Sequence, residues 1–142
     1  MLTNPLLIAL KEYGTWEWKG KDHNPQVLKY SKDIGLKWVK DDETAWCSIF
    51  VNWCLKKAGK PITGEVRARS FLQYGTSTKK PEVGDIVVFW RESKAGVLGH
   101  VAFYISETPN FIYCLGGNQN QQVNISKYSK LNLLDYRKIP LV

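Results

Sequence analysis

A chain of 142 residues has the length of one compact domain, and a domain of this size buries roughly 68–70% of its unfolded surface. Apolar residues make up 44% of the sequence and charged residues 23%, which excludes an intrinsically disordered chain. The net charge of +7 favours a polyanionic partner, and the scattered lysines, without an arginine stripe, argue against nucleic acid.

The sequence shows no sign of membrane insertion or of a disulfide framework. No apolar run approaches the ~20 residues needed to span a bilayer, and no charged start precedes a cleavable apolar stretch. We therefore expect a protein made in the cytoplasm without an export signal. The three cysteines form no CxxC pair, so at least one free thiol is expected. Cys47 and Cys54 would lie ~10 Å apart along one helix, beyond the ~7 Å limit for a disulfide.

The first half of the chain predicts helices. Apolar residues recur at helical spacing over residues 5–13, and Gly14 suits the end of this first helix. Pro25 suits the start of a second helix that continues to about Asp33 and ends before Gly35.

The third predicted helix has the strongest signals. Acidic residues at 41–43 precede an apolar periodic stretch that contains Cys47, and they suit a helix start. Basic residues and then Gly59 and Pro61 suit its end. A further short helix is predicted over residues 68–74.

After Pro81 the sequence predicts strands. Short runs rich in β-branched and aromatic residues are separated by glycine or proline, at residues 86–90, 100–105, 111–115, 122–125 and 136–139. Helices followed by strands predict one α+β domain over residues 1–142, with the N-terminal helices packed on an antiparallel sheet.

Cys47 is the candidate nucleophile. It lies within about one turn of the predicted start of its helix, where the helix dipole and free backbone N–H groups favour a thiolate. The alternative is a small buried core residue, which is common for free cysteines. Cys54 and Cys114 lack a comparable position and are expected in the core.

His100 is the candidate base. The sequence has only two histidines; His23 lies in a polar loop, whereas His100 opens a predicted strand that would hold it more rigidly. Strand alternation places His100, Ala102 and Tyr104 on one face. The alternative is a strand-end histidine that makes only a structural hydrogen bond.

The imidazole of such a pair needs a third group to fix its tautomer and orientation. Asn118 is the candidate, because it follows two glycines near the end of a predicted strand. The alternative is a plain glycine-asparagine turn.

Four segments together resemble the CHAP and NlpC-type cysteine peptidases in order and spacing: TAWCSIFVNWCL (44–55), GDIVVF (84–89), GHVAFYI (99–105) and LGGNQ (115–119). The resemblance implies a papain-like fold and hydrolysis of peptidoglycan amide bonds through an acyl-enzyme. It supports Cys47 as nucleophile, His100 as base and Asn118 as the residue that orients it. It also extends to Arg69 and to residues 16–25, without assigning them a role.

Trp46, beside the nucleophile, is the candidate substrate-binding residue, as a wall of the cleft. The other tryptophans are expected mostly to fill the core; those considered as sugar platforms are Trp16, Trp18, Trp38 and Trp90. No cofactor or metal is expected.

Three rival functions remain open at the level of sequence. They are a non-catalytic glycan or cell-wall binding module, a zinc site, and an acyltransferase or deamidase that uses the same cysteine and histidine. The zinc site is disfavoured because the cysteines and histidines lack paired ligand spacing.

The expected partner is peptidoglycan, with an immunity or delivery protein as a further partner, and the expected state is a monomer. We expect action at the cell wall or in the periplasm after lysis, secretion or phage delivery, as an endolysin or a bacteriolytic toxin effector.

Overall fold

Three α-helices and a curved sheet form the part of the chain that the structure describes. The structure, a computed structural model, describes residues 4–18, 22–39 and 45–141. The helices are α1 (Pro5–Lys11), α2 (Pro25–Asp33) and α3 (Cys47–Lys57), with short 3₁₀ helices at Ala68–Gln73 and Lys130–Asn132. Within these described ranges, no helix combines the length and apolarity that crossing a membrane requires.

Six strands follow the helices and pair antiparallel in the order β1-β6-β2-β3-β4-β5. They are β1 (Thr76–Thr78), β2 (Ile86–Trp90), β3 (Gly99–Glu107), β4 (Phe111–Gln119), β5 (Gln122–Ser129) and β6 (Leu133–Lys138). The predicted α+β class with an antiparallel sheet is confirmed. The sequence did not predict β1, because its three polar residues lie at the sheet edge and show no apolar alternation.

The first two helices begin as predicted from local signals. Asn4 and Asn24 each cap a helix by accepting a hydrogen bond from the backbone two residues later, and proline fills the first helical position. Gly35 follows α2 with φ of +88°, a conformation that L side chains rarely adopt. The α1 helix ends at Lys11, two residues before the predicted end.

The α3 helix is the centre of the core. All its residues from Cys47 to Leu55 are buried, so it is enclosed on every side instead of presenting one face to solvent. Tyr30 of α2 packs on it, with ring centroids 5.2 Å from Phe50 and 4.9 Å from Trp53. The described helix begins at Cys47 itself; the acidic residues predicted to start it lie outside the described residues.

The two faces of the sheet bury different clusters. One face packs on α3 and includes Val101, Phe103 and Leu115. The other face carries Ala102 and Cys114. This alternation confirms that the even-numbered positions at the start of β3 share a face, as the sequence predicts.

Gly117 allows α3 to lie against β4. A Cβ atom at this position would meet Cβ of Phe50 at 2.7 Å and Cε3 of Trp46 at 2.8 Å, distances that real Cβ atoms essentially never show. The absence of a side chain therefore sets how close the start of α3 lies to the sheet.

Gly117→Ala is expected to lower the free energy of unfolding by about 1–3 kcal/mol, since overpacking a dense core forces neighbours out of place. Urea denaturation followed by tryptophan fluorescence measures the change. Gly96→Ala is the matched control, because its Cβ would meet Ser93 at an ordinary 3.4 Å. Equal stability of the two variants would contradict this account of the helix–sheet contact.

Candidate active site

A cleft of about 540 Å³ contains both Cys47 and His100. Besides this pair, the wall consists mainly of aromatic and amide side chains. All lining residues other than the pair are Trp90, Arg91, Asn118, Asn120, Gln121, Lys127, Tyr128, Ser129 and Asn132. The structure therefore brings the predicted nucleophile and the predicted base to one concave site. The other histidine, His23, is not among the residues that line it.

Cys47 occupies the first position of α3, where the backbone N–H groups have no partner within the helix. Burial opposes ionisation of its thiol. The positive charge of His100, a hydrogen bond from it and the backbone N–H groups of Val101 and Ser48 outweigh burial and lower the pKa of Cys47 below its ordinary value. The site therefore favours a thiolate.

The pKa of His100 shifts in the opposite direction. Burial disfavours its charged form, but the negative charge of Cys47 and hydrogen bonds to Cys47 and Gln119 raise the pKa of the imidazole. Arg91 acts against this rise through its own positive charge. Each residue of the pair therefore favours the charged form of the other.

Gln119 fixes the orientation of His100. Its Oε1 lies 2.9 Å from Nε2 of His100, and its Nε2 donates to the carbonyl oxygens of Cys114 at 3.2 Å and Asn124 at 2.8 Å. Because the amide nitrogen is committed to these two carbonyls, the amide oxygen must face the imidazole and accept a hydrogen bond from its N–H group. Nε2 of His100 therefore carries hydrogen, and Nδ1 is left for the thiol.

The sequence assigned this role to Asn118, and the structure corrects it by one residue. Between Gly116 and Gln119 a bulge inserts one extra residue into β4 relative to β5. Asn118 lies within this bulge and has a φ of +55°. Regular alternation from Gly116 would have placed Asn118 on the His100 face; the bulge gives that place to Gln119, which is 1% exposed.

Gly116 makes room for the inserted amide. A Cβ atom at this position would meet Oε1 of Gln119 at 2.7 Å and Cβ of Ala102 at 2.8 Å. Gly116 and Gly117, which precede the candidate Asn118 in the sequence, thus have two separate structural roles. Gly116 admits the side chain that holds the base, and Gly117 admits the helix that carries the nucleophile.

Tyr128 covers the imidazole from the cleft side. Its ring stacks on His100 with centroids 4.9 Å apart and on Phe89 at the same distance. Since Phe89 belongs to β2 and Tyr128 to β5, the sheet curves enough to bring these separated strands together. Stacking on one face and the Gln119 hydrogen bond at the edge leave His100 little freedom to rotate.

Arg69 holds the loop that leads into His100. Its guanidinium donates to the carbonyl oxygens of Ser93, Lys94 and Leu98 at distances between 2.7 and 3.0 Å. These carbonyls belong to the connection between β2 and β3, which ends directly before the strand that carries the base. The resemblance alone assigned Arg69 no role, because loop carbonyls leave no signal in side-chain patterns.

Trp46 does not line the cleft, which corrects its predicted role in substrate binding. The side chain is 1% exposed, its ring packs near Phe50, and its Nε1 donates to Oε1 of Glu17 at 3.2 Å. Its neighbour Cys47 faces the cleft, whereas the turn into α3 directs the indole into the core. The N-terminal segment that carries Glu17 continues to the β4–β5 turn, where its backbone N–H donates to Gln121.

The other tryptophans also depart from expectation. The sequence favours core filling for most of them, but Trp16, Trp18 and Trp38 are 52%, 39% and 62% exposed. Trp90 is half-buried and lines the cleft. Tryptophans at loops are therefore available on the surface, and residue type alone did not indicate this.

Cys54 and Cys114 are core residues, as predicted. Both are fully buried, all three cysteines are free, and burial raises the pKa of the Cys54 and Cys114 thiols. In the described ranges, His, Cys, Asp and Glu side chains form no group of three that could hold a metal ion. Cys47 is thus the cysteine with the environment of a nucleophile.

A nucleophilic cysteine at a helix start, packed on an antiparallel sheet that carries the histidine, is the arrangement of papain-like enzymes. The family model of the CHAP domain matches residues 39–118, more than half of the chain, and the chain belongs to the CHAP domain family. Members of this family are generally cysteine peptidases and amidases related to peptidoglycan. The expected packing of helices on an antiparallel sheet is confirmed.

Among solved structures, the chain is similar to a protein from Staphylococcus aureus subsp. aureus Mu50 described as similar to lipoprotein, NLP/P60 family. The two share 19% identity with a TM-score of 0.44, over 84% of this chain and 44% of that one. This chain thus spans less than half the length of that protein. No curated protein matches the chain.

The pH dependence of alkylation tests the ion pair. Iodoacetamide modification of Cys47 should rise with a midpoint below the ordinary thiol value of 9.0, because His100 stabilises the thiolate. His100→Ala should move the midpoint upward. Without the positive charge of His100, burial still disfavours the thiolate, and only the backbone donors still favour it. Mass-spectrometric peptide mapping reads the site, with buried Cys54 and Cys114 as internal controls. Equal midpoints in both proteins would contradict the pair.

Gln119→Ala tests which residue holds the base. Loss of the hydrogen bond to the imidazolium should move the Cys47 alkylation midpoint upward. It should also lower the rate of peptidoglycan hydrolysis by ~10–100-fold, which corresponds to the free energy of a hydrogen bond to a charged group. Asn118→Ala should leave the midpoint in place, because its amide makes no hydrogen bond to His100. Thermal unfolding of both variants verifies folding. A shift in Asn118→Ala alone would restore the original assignment.

Proposed function

We propose that this protein is a cysteine-dependent hydrolase that cleaves amide bonds of bacterial peptidoglycan through a thioester intermediate. One observation carries the proposal: Cys47, at the first position of α3, interacts with an imidazole whose tautomer Gln119 fixes. A merely structural cysteine would not need a lowered thiol pKa or an oriented histidine. Membership of the CHAP family supplies the class of substrate.

The first half of the reaction forms the acyl-enzyme. Nδ1 of His100 holds the proton of Cys47, and the thiolate attacks the carbonyl carbon of the scissile amide. The oxyanion that forms accepts hydrogen bonds from backbone N–H groups at the start of α3, including that of Cys47. His100 then donates its proton to the leaving amine, and the tetrahedral species collapses to a thioester.

The second half releases the acyl group. His100, now neutral at Nδ1, takes a proton from water, and the resulting hydroxide attacks the thioester carbonyl. Collapse expels the Cys47 thiolate and leaves a free carboxylic acid. Through both halves Gln119 accepts a hydrogen bond from the Nε2–H group of His100, so the same ring nitrogen faces the reacting atoms at every step.

The substrate bond is either inside the stem peptide or between muramic acid and L-alanine. The net charge of +7 supports residence on an anionic wall and would raise the encounter rate there. Delivery by lysis, by a secretion machine or by a phage particle is compatible with this activity, and the roles that follow are endolysin, bacteriolytic enzyme or toxin effector.

Purified peptidoglycan provides the test. Wild-type protein should release soluble fragments with new amine and carboxyl termini, identified by mass spectrometry, whereas Cys47→Ala should release none because it lacks the nucleophile. The termini produced also identify the bond. Cys54→Ala is the matched control: it removes a fully buried thiol that does not line the cleft and should retain activity at temperatures where it is folded.

Absence of new termini with folded wild-type protein would overturn the cell-wall proposal. Alkylation of Cys47 then separates the rivals. A reactive, pH-dependent thiol without cleavage would favour an acyltransferase or deamidase, and an inert thiol would favour a binding module.

A further inference from the structure

The charged residues that line the cleft in the described part of the chain, other than the reacting pair, share one sign. Apart from the reacting pair, the charged side chains that line it within the described part of the chain are Arg91 and Lys127, both cations. The other polar lining residues are neutral amides and a serine. A cleft of this kind attracts an anionic group and repels a cationic one.

Within the described ranges these two cations differ from Arg67 and Arg137, whose charges are neutralised by carboxylates. Arg67 pairs with Glu65 and Arg137 pairs with Asp135. Arg91 and Lys127 have no carboxylate partner among the residues of the described ranges. Their charges are therefore available to a ligand.

The position of Lys127 is set without neutralising it. Its Nζ lies 4.6 Å from the ring centroid of Phe111, a cation–π contact that restrains the ammonium and preserves its charge. Lys127 also directly precedes Tyr128, which stacks on the base. The strand that covers His100 thus also carries a cationic residue that lines the cleft.

Arg91 opposes the chemistry of the empty site. Its positive charge disfavours the imidazolium form of His100, which the ion pair with Cys47 requires. Arg91 directly follows β2, and its backbone N–H donates to Leu98 near the base. A bound anion would cancel the opposing charge, so substrate with such a group would complete the site.

We propose that Arg91 and Lys127 form a subsite for a carboxylate of the substrate, and that the enzyme prefers peptides with a free carboxylate near the scissile amide. This inference rests on the proposed amide hydrolysis, because the anions of a peptide are carboxylates. The guanidinium of Arg91 offers a planar pair of donors that matches a carboxylate, and Lys127 adds a point charge.

Matched substrates test the inference. The probes are soluble muropeptides with free carboxylates and the same muropeptides after conversion to primary amides with carbodiimide and ammonia. Chromatography of the products gives kcat/KM for each form. Wild type should cleave the acid form at least about tenfold better, since a hydrogen bond to a charged group is worth ~1.5–3 kcal/mol.

Arg91→Gln and Lys127→Gln should each reduce kcat/KM for the acid form by about tenfold and leave the amidated form within about twofold, so the preference disappears. Lys94→Gln is the matched control, because it removes one exposed positive charge from the neighbouring loop without lining the cleft. It should retain the preference of wild type.

Binding to Cys47→Ala protein, measured by calorimetry, separates this inference from the proposed function. If wild type cleaves neither form, the proposed amide hydrolysis is wrong. The subsite would still be supported if the protein binds the acid form more tightly and Arg91→Gln abolishes that difference in binding. Equal treatment of both forms by wild type in cleavage and in binding would overturn the subsite alone. Equal losses on both forms in Arg91→Gln would also overturn it.

Discussion

The contact between α3 and β4 at Gly117 determines most of what the site can do. Because no side chain stands at this position, the start of the helix lies directly against the strand, with Phe50 and Trp46 in the space that a Cβ would fill. That approach carries the first residue of the helix, Cys47, to the sheet that bears His100. The nucleophile is therefore positioned by packing of the core.

Once the core has brought the pair together, polar groups decide its chemistry. His100 is buried, so each hydrogen bond to it has a large influence on its charge. Gln119 is held by backbone carbonyls that only its amide nitrogen can satisfy, and this leaves its oxygen for the imidazole. A neutral amide suits the position, because it orients the ring without adding a charge to the thiolate and imidazolium pair.

Much of the fold could be predicted because it depends on local patterns. Proline and asparagine mark the starts of α1 and α2, glycine follows α2, and short apolar runs mark β2 to β4. The bulge in β4 could not be predicted, since a single extra residue leaves the apolar pattern unchanged while reversing which side chains face the base. For this reason the sequence indicated Asn118, whereas the structure places Gln119 beside His100. The prediction for Trp46 was wrong because the sequence does not show that its indole is buried although the next residue faces the cleft.

The sequence by itself determined the fold class and the family, and it indicated the candidate nucleophile and the candidate base. Cys47 stands out because helix signals surround it, and His100 because histidines are few and it opens a strand; both are local facts. Only the tertiary structure decided which amide holds the base, that Arg69 fixes the loop before it, and that Arg91 and Lys127 share a cleft. These depend on register and strand curvature, which arise from contacts between residues far apart in the chain.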